Sequence, residues 1–296
     1  MPFLQLHLQL RHLDPDTVEA ACFDAGALSV TLTDAGDTPI LEPAPGATPL
    51  WPAIALSALY DADADIDHVT AALRAALGSE LDLRFEMLAD RPWEREWLKD
   101  FRPMRFGRRL WICPGGQHPP EALVADTTPV IVWLDPGLAF GTGTHATTAL
   151  CLEWIDSGPI EGARVLDVGT GSGILAIAAL RLGARHAHAL DIDPQSLIAV
   201  KDNAARNEIG PQLSIAAADA PWGEAYDVVL ANILAEPLIE LAPRLAAVTR
   251  PRGSIVLSGL LVHQAEAVAG AYAAWFDMDL PRERDGWIGL VGRRRH

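Results

Sequence analysis

Apolar and polar positions alternate with a period of two at the start of the chain. Leu4, Leu6, Leu8 and Leu10 share one face and Gln5, His7 and Gln9 the other, which predicts a strand over residues 3–10. Asp14, Pro15 and Asp16 suit the start of a helix and Gly26 its stop. Further strands are expected at 27–33, 53–60 and 81–87, with a helix over 66–77 closed by Gly78. The stretch 34–52, rich in Pro, Gly and Asp, reads as a long loop. The order β-α-β-β-α-β predicts a ferredoxin-like α+β domain over residues 1–90. Residues 91–110 read as a linker, with Trp93, Trp97 and Phe101 spaced by four as a packing stripe. Strands at 110–113 and 130–134 open a second domain, placed at 111–296.

From Arg164 onward the pattern changes to alternation of strand and helix. Strands are predicted at 164–168, 187–192, 212–217, 227–232 and 254–260, and helices at 173–183, 194–207, 235–247 and 263–274. Two last strands, 276–280 and 287–293, have no helix between them and should form a hairpin. The expected fold is α/β, with a mostly parallel sheet that ends in a reversed strand.

One stretch organises this half. In Arg164–Gly173, RVLDVGTGSG, a short apolar run leads into a glycine turn and then into an apolar helical pattern. Strand, glycine turn and helix in that order present backbone N–H groups to a nucleotide-like ligand. The spacing is Gly169-x-Gly171-x-Gly173, whereas a dinucleotide fingerprint is G-x-G-x-x-G. About twenty residues on, a second strand ends in Asp191, suited to accept hydrogen bonds from both hydroxyls of a free ribose. On these residues alone, a nicotinamide oxidoreductase and a methyltransferase both remain open.

Composition narrows the class. The chain has 296 residues, half of them hydrophobic, enough for two domains with real cores. Its net charge is −16, and residues 1–90 hold 15 acidic residues against 3 arginines, leaving −4 for the rest. Such a leader would repel a phosphate backbone, so no direct nucleic-acid partner is expected; a cationic protein would be attracted. No apolar run is long enough for a bilayer, so no membrane partner is expected either. Cys22, Cys113 and Cys151 are scattered without metal-ligand spacing, and His145 has no second ligand near it in sequence, so no metal is expected. The opening residues lack a signal-peptide pattern, and a cytoplasmic location is expected.

The reversed final strand, the glycine turn and Asp191 resemble the class I methyltransferases that use S-adenosylmethionine. The loop DPGLAFGTGTHATT at 135–148, the phrase ANILA at 231–235, Trp93, Trp97 and the segment Leu110-Trp111-Ile112 sharpen the resemblance, across essentially the whole chain, to the methyltransferases of ribosomal protein L-eleven. One departure is Ala146, where that family usually has proline. The resemblance implies a Rossmann-like methyltransferase domain. It also implies an S-adenosylmethionine site of Thr148, Gly169, Gly171, Asp191 and Asn232, covered by Phe140 and Gly141. Asp219 falls where the class often bonds the adenine amine. Asn232 is implied as the catalytic residue, its carbonyl oxygen orienting an amine. The implied substrates are lysine ε-amines and the N-terminal α-amine of the ribosomal protein, recognised by the leading domain. A class I methyltransferase with another substrate is the alternative.

Overall fold

The computed structural model describes residues 2–36, 49–88, 101–121, 128–134, 141, 143–223 and 225–296. The stripe positions Trp93 and Trp97, most of the 34–52 loop and residue Phe140 lie outside these. The chain divides into two compact units, Met1–Glu96 and Trp97–His296.

The first unit runs β1 (Phe3–Gln9), α1 (Pro15–Asp24), β2 (Ser29–Asp34), β3 (Ile54–Asp61), α2 (Ile66–Leu77) and β4 (Arg84–Leu88). Its strands lie antiparallel in the order β2-β3-β1-β4. This is the ferredoxin-like arrangement, with β1 and β3 central. The leucines of β1 are all nearly inaccessible and pack with Val18 and Cys22 of α1, Val69 and Leu73 of α2, and Leu56, Ala58 and Tyr60 of β3. Both helices start at an aspartate: Asp14 accepts from Thr17 N at 3.0 Å, and Asp65 from Asp67 N at 3.0 Å.

The second unit opens with β5 (Met104–Phe106), β6 (Leu110–Cys113) and β7 (Val130–Trp133), which form a small sheet. Helix α3 (Ala146–Ser157) follows. Then come β8 (Arg164–Val168), α4 (Ile174–Arg181), β9 (His186–Asp191), α5 (Pro194–Arg206), β10 (Leu213–Ala217), β11 (Tyr226–Asn232) and α6 (Ala235–Val248). The chain ends with β12 (Thr249–Leu261), α7 (Ala265–Tyr272), β13 (Phe276–Met278), β14 (Arg282–Arg284) and β15 (Trp287–Arg294). Among the described residues the large sheet has the order β10-β9-β8-β11-β12-β15-β13. The first five strands are parallel, and β15 is antiparallel to both β12 and β13. This is the Rossmann-like methyltransferase architecture with its reversed strand.

The boundaries differ from the sequence pattern at several ends. Strand β12 begins at Thr249, five residues before the expected start. The expected helix 263–274 is a 3₁₀ turn over Val262–Gln264 followed by α7. The short β5 and β14 carry no period-two pattern long enough to read; each exists because a neighbouring strand offers it a partner.

Side chains of β8 alternate between the sheet's two apolar layers. Val165 joins Leu152, Ile155, Ala176 and Ile177 of α3 and α4 on one face. Leu166 and Val168 join Leu238, Leu245 and Val268 of α6 and α7 on the other. Strand order reverses at β8, with β9 on one side and β11 on the other. Open α/β sheets have their ligand crevice at the carboxyl end of such a switch point.

Candidate active site

The turn after β8 is built from backbone that other residues tolerate poorly. Gly169, Gly171 and Gly173 all have positive φ, at 71°, 55° and 82°. A Cβ on Gly169 would lie 2.2 Å from Ile233 Cγ2, so the turn sits directly against the tip of β11. The N–H groups of Gly169 and Thr170 both donate to Leu190 O, at 2.9 and 3.0 Å, which ties the turn to β9.

Asp191 ends β9 and is 8 % exposed. Its Oδ2 accepts from Gly171 N at 2.8 Å and its Oδ1 from Asp193 N at 2.9 Å. An ionised carboxylate has about four acceptor positions. Each oxygen therefore keeps one for a ligand while the backbone holds the group in place. The next residue, Ile192, is 89 % exposed, an apolar surface at the strand tip beside that carboxylate. Asp219 lies exposed in the turn after β10, adjoining Asp191 through Ala218 N, which donates to Asp191 O at 2.9 Å.

Asp167 sits beneath the turn on the β8 face that α3 and α4 cover. It is fully inaccessible, and its Oδ2 accepts from Thr170 Oγ1 at 2.6 Å and from Ala176 N at 3.2 Å. Among the described residues its Oδ1 has no hydrogen-bond partner. Burial raises its carboxyl to about pKa 6 against those two hydrogen bonds, and the nearby Asp191 carboxylate adds to the rise.

Across the turn, Asn232 closes β11. Its Nδ2 donates to Thr148 Oγ1 at 3.3 Å, and no described residue donates to its Oδ1. Thr148 is fully buried in the first turn of α3. The N-cap of this helix is His145, whose Nδ1 accepts from Thr147 N at 3.4 Å. Burial pushes the His145 pKa down, and its ring stands edge-on to Trp287 at 4.8 Å. Ala146 is the first helical position, where proline fits because its missing N–H has no intrahelical partner.

Gly259 in β12 also presses on the tip of β11, since a Cβ there would lie 2.3 Å from Ile233 O. Gly259 falls in the register shift between β12 and β15. The bulge and the two glycines thus let Ile233 sit between β8 and β12.

Of the anticipated site residues, the fold joins Thr148 to Asn232, Gly171 to Asp191, and Gly141 to the glycine turn through Ser172, whose hydroxyl donates to Gly141 O at 2.6 Å. Ser172, which bonds Gly141, Ile192 next to Asp191, Trp287 against His145, and the buried Asn203 and Asn207 were not singled out from sequence. The two buried asparagines four apart on α5 were the readable signal, because an amide among Val200 and Ala204 needs a specific partner.

The chain has extensive relatives. The family model described as "Ribosomal protein L11 methyltransferase (PrmA)" matches residues 2–295. Proteins named ribosomal protein L11 methyltransferase are 52% identical over 298 residues in Pseudomonas aeruginosa (strain LESB58), covering 100% of this chain and 99% of the relative. One from Pseudomonas putida (strain GB-1) is 50% identical over 297 residues, covering 100% of both. The crystal structure of a ribosomal protein L11 methylase from Lactobacillus delbrueckii subsp. bulgaricus matches 66% of this chain and 100% of that one, with a TM-score of 0.59 and 37% identity. With that agreement across both units, the chain belongs to the ribosomal protein L11 methyltransferase family.

Proposed function

We propose that the protein transfers methyl groups from S-adenosylmethionine to lysine ε-amines and the N-terminal α-amine of ribosomal protein L11, in the cytoplasm. The observation that carries the reading is the placement of Asp191 and Asn232 on the strands that flank the glycine turn. They stand two strand spacings apart, roughly 10 Å.

The residues present fit the methyl donor. Asp191 has acceptor positions for both ribose hydroxyls, and Ile192 offers an apolar face to a purine. Gly169 lets Ile233 close against the turn, and the Gly171 N–H ties the turn to the Asp191 carboxylate, so turn and carboxylate form one rim of the crevice. Thr148 and Asn232 face the turn from the other side, and Gly141 closes the edge through Ser172. Asp167 adds a buried carboxyl oxygen, without a partner among the described residues, under a site for a cation. When bound, S-adenosylmethionine supplies a methyl group already activated on a sulfonium.

What this chain must supply is position and a neutral amine. A free lysine has a pKa of about 10.4, and burial in a pocket lowers it. Asn232 Nδ2 is engaged by Thr148, which directs Oδ1 away from the helix and makes it available to an amine N–H. An amine held by that oxygen and by the Ile233 backbone carbonyl points its lone pair at the donor. Alignment of this kind accounts for a large part of the barrier reduction in bimolecular displacements. The strongly acidic leading unit attracts a basic ribosomal protein and is the substrate-recognition element in this reading.

The test is mass spectrometry of purified ribosomal protein L11 after incubation with the protein and S-adenosylmethionine. Mass increments of whole methyl groups on lysines and the N-terminus are expected. An unmodified substrate, beside a control enzyme that modifies it, would overturn the reading.

A further inference from the structure

Three buried polar residues that make none of the proposed ligand contacts, Ser172, Asn203 and Asn207, are linked through two of their backbone carbonyls into a chain of hydrogen bonds at the glycine turn. Ser172 Oγ donates to Gly141 O at 2.6 Å and accepts from Ile174 N, the first N–H of α4, at 3.3 Å. The carbonyl of the same residue accepts from Asn203 Nδ2 at 2.8 Å. Asn203 O in turn accepts from Asn207 Nδ2 at 2.8 Å. The Asn207 amide then closes on the end of β7: its Nδ2 also donates to Trp133 O at 2.7 Å and its Oδ1 accepts from Trp133 N at 2.8 Å. Asn207 thereby acts towards Trp133 as a neighbouring strand would, satisfying both backbone groups of one residue.

Two features separate this chain from ordinary packing. All three residues are buried, at 5 %, 6 % and 2 % exposure, and the Asn203 Oδ1 is satisfied as well, accepting from Arg206 Nη1 at 3.2 Å. Buried polar groups of this kind hold a unique geometry only when every member is satisfied. The chain also converges from two places in sequence, Trp133 and Gly141, on one residue of the turn. A Cβ on Gly141 would come within 3.1 Å of Ser172 Oγ, so the contact has little slack.

We propose that Ser172, Asn203 and Asn207 are positioning residues for the methyl donor: they fix the glycine turn against Gly141 and the end of β7, so that donor affinity depends on hydrogen bonds made away from the donor itself. This rests on the reading that the turn binds S-adenosylmethionine. It predicts that the relay acts on donor binding rather than on the acceptor. It also predicts that its members act as a unit, because breaking any link frees the same turn.

The experiment is titration calorimetry of S-adenosylmethionine, with steady-state kinetics and thermal unfolding, on the full-length protein and on Ser172→Ala, Ser172→Thr, Asn207→Ala and the Ser172→Ala/Asn207→Ala double variant. Ser172→Ala is expected to raise donor Kd and donor KM about tenfold while acceptor KM stays within twofold. Ser172→Thr keeps the hydroxyl and should recover most of the affinity. The double variant should lose clearly less than the product of the two single losses. Donor Kd within twofold of the parent in a folded Ser172→Ala variant would overturn the proposal, as would equal rises in donor and acceptor KM or fully multiplicative losses. If Asn207→Ala does not fold, the serine pair alone decides. A parent protein that fails to bind S-adenosylmethionine at all would instead overturn the donor reading.

Discussion

At the scale of single residues, the candidate site depends on groups held by backbone hydrogen bonds that leave acceptor positions open. Asp191 uses half its acceptor capacity on Gly171 and Asp193 N–H groups. Asp191→Ala should raise the Kd for S-adenosylmethionine at least tenfold, since a hydrogen bond to a charged group contributes about 1.5–3 kcal/mol; calorimetry reads this directly. Asn232→Ala removes the acceptor proposed to align the amine. It should lower kcat/KM about 100-fold in a methyl-transfer assay, the order seen when reacting groups lose alignment.

Asp167 makes a different prediction, on stability. Its pKa of about 6 lies above the ordinary carboxyl value of 3.8, so between those values the folded chain holds a proton that the unfolded chain has released. The contribution is complete below about pH 4 and is lost as pH rises through 6, by about 3 kcal/mol in order of magnitude. Denaturant unfolding of Asp167→Asn and the parent at pH 4, 5, 6 and 7 should show the parent losing stability relative to the variant as pH rises. Parallel curves would show that the carboxyl is not perturbed.

Asp167 also illustrates what single residues disclose. The sequence places an aspartate in an apolar strand, but its pKa depends on the helices α3 and α4 that cover it. Gly169 was readable as a turn glycine, whereas the reason it admits no side chain, the Ile233 methyl 2.2 Å from where its Cβ would lie, comes from the residue that follows β11.

At the scale of elements, patterns of ten residues or fewer were legible and irregular pieces were not. The β1 leucines and the glycine turn carry their own signals within one element. The β5–β6 turn does not: its conformation is held by Asp156 of α3, which accepts from the N–H groups of Arg108, Arg109 and Leu110 at 2.6, 3.2 and 3.1 Å. Asp156 reads in sequence as a helix-end acid. Asp156→Ala strips three backbone donors of their partner and should destabilise the second unit by about 2–4 kcal/mol. Hydrogen exchange should show lost protection first at residues 108–110. Unchanged protection there would show that the carboxylate does not hold the turn.

At the scale of the whole molecule, the two units have separate cores. Among the described residues the buried cluster of the first draws only on residues 4–73, and the two clusters of the second flank the large sheet. Each unit therefore has the apolar burial of an independent domain. A chain lacking residues 1–90 should still bind S-adenosylmethionine in calorimetry yet fail to methylate ribosomal protein L11. Methylation at the parent rate would remove the recognition role from the acidic leader, whose charge is its main signature.

By itself the sequence determined most of the strands and helices, the glycine turn with its acidic partner strand, and the division of charge, because each is written in residues close along the chain. Only the tertiary structure decided which strands neighbour one another, which lone polar residues meet, and what each turn leans on. Thr148 and Asn232 are 84 residues apart, and Trp133 and Asn207 are 74. The first contact exists because the sheet order reverses at β8 and sets β11 beside it, and the second because the C-terminal end of α5 meets β7 of the small sheet; no local pattern encodes either.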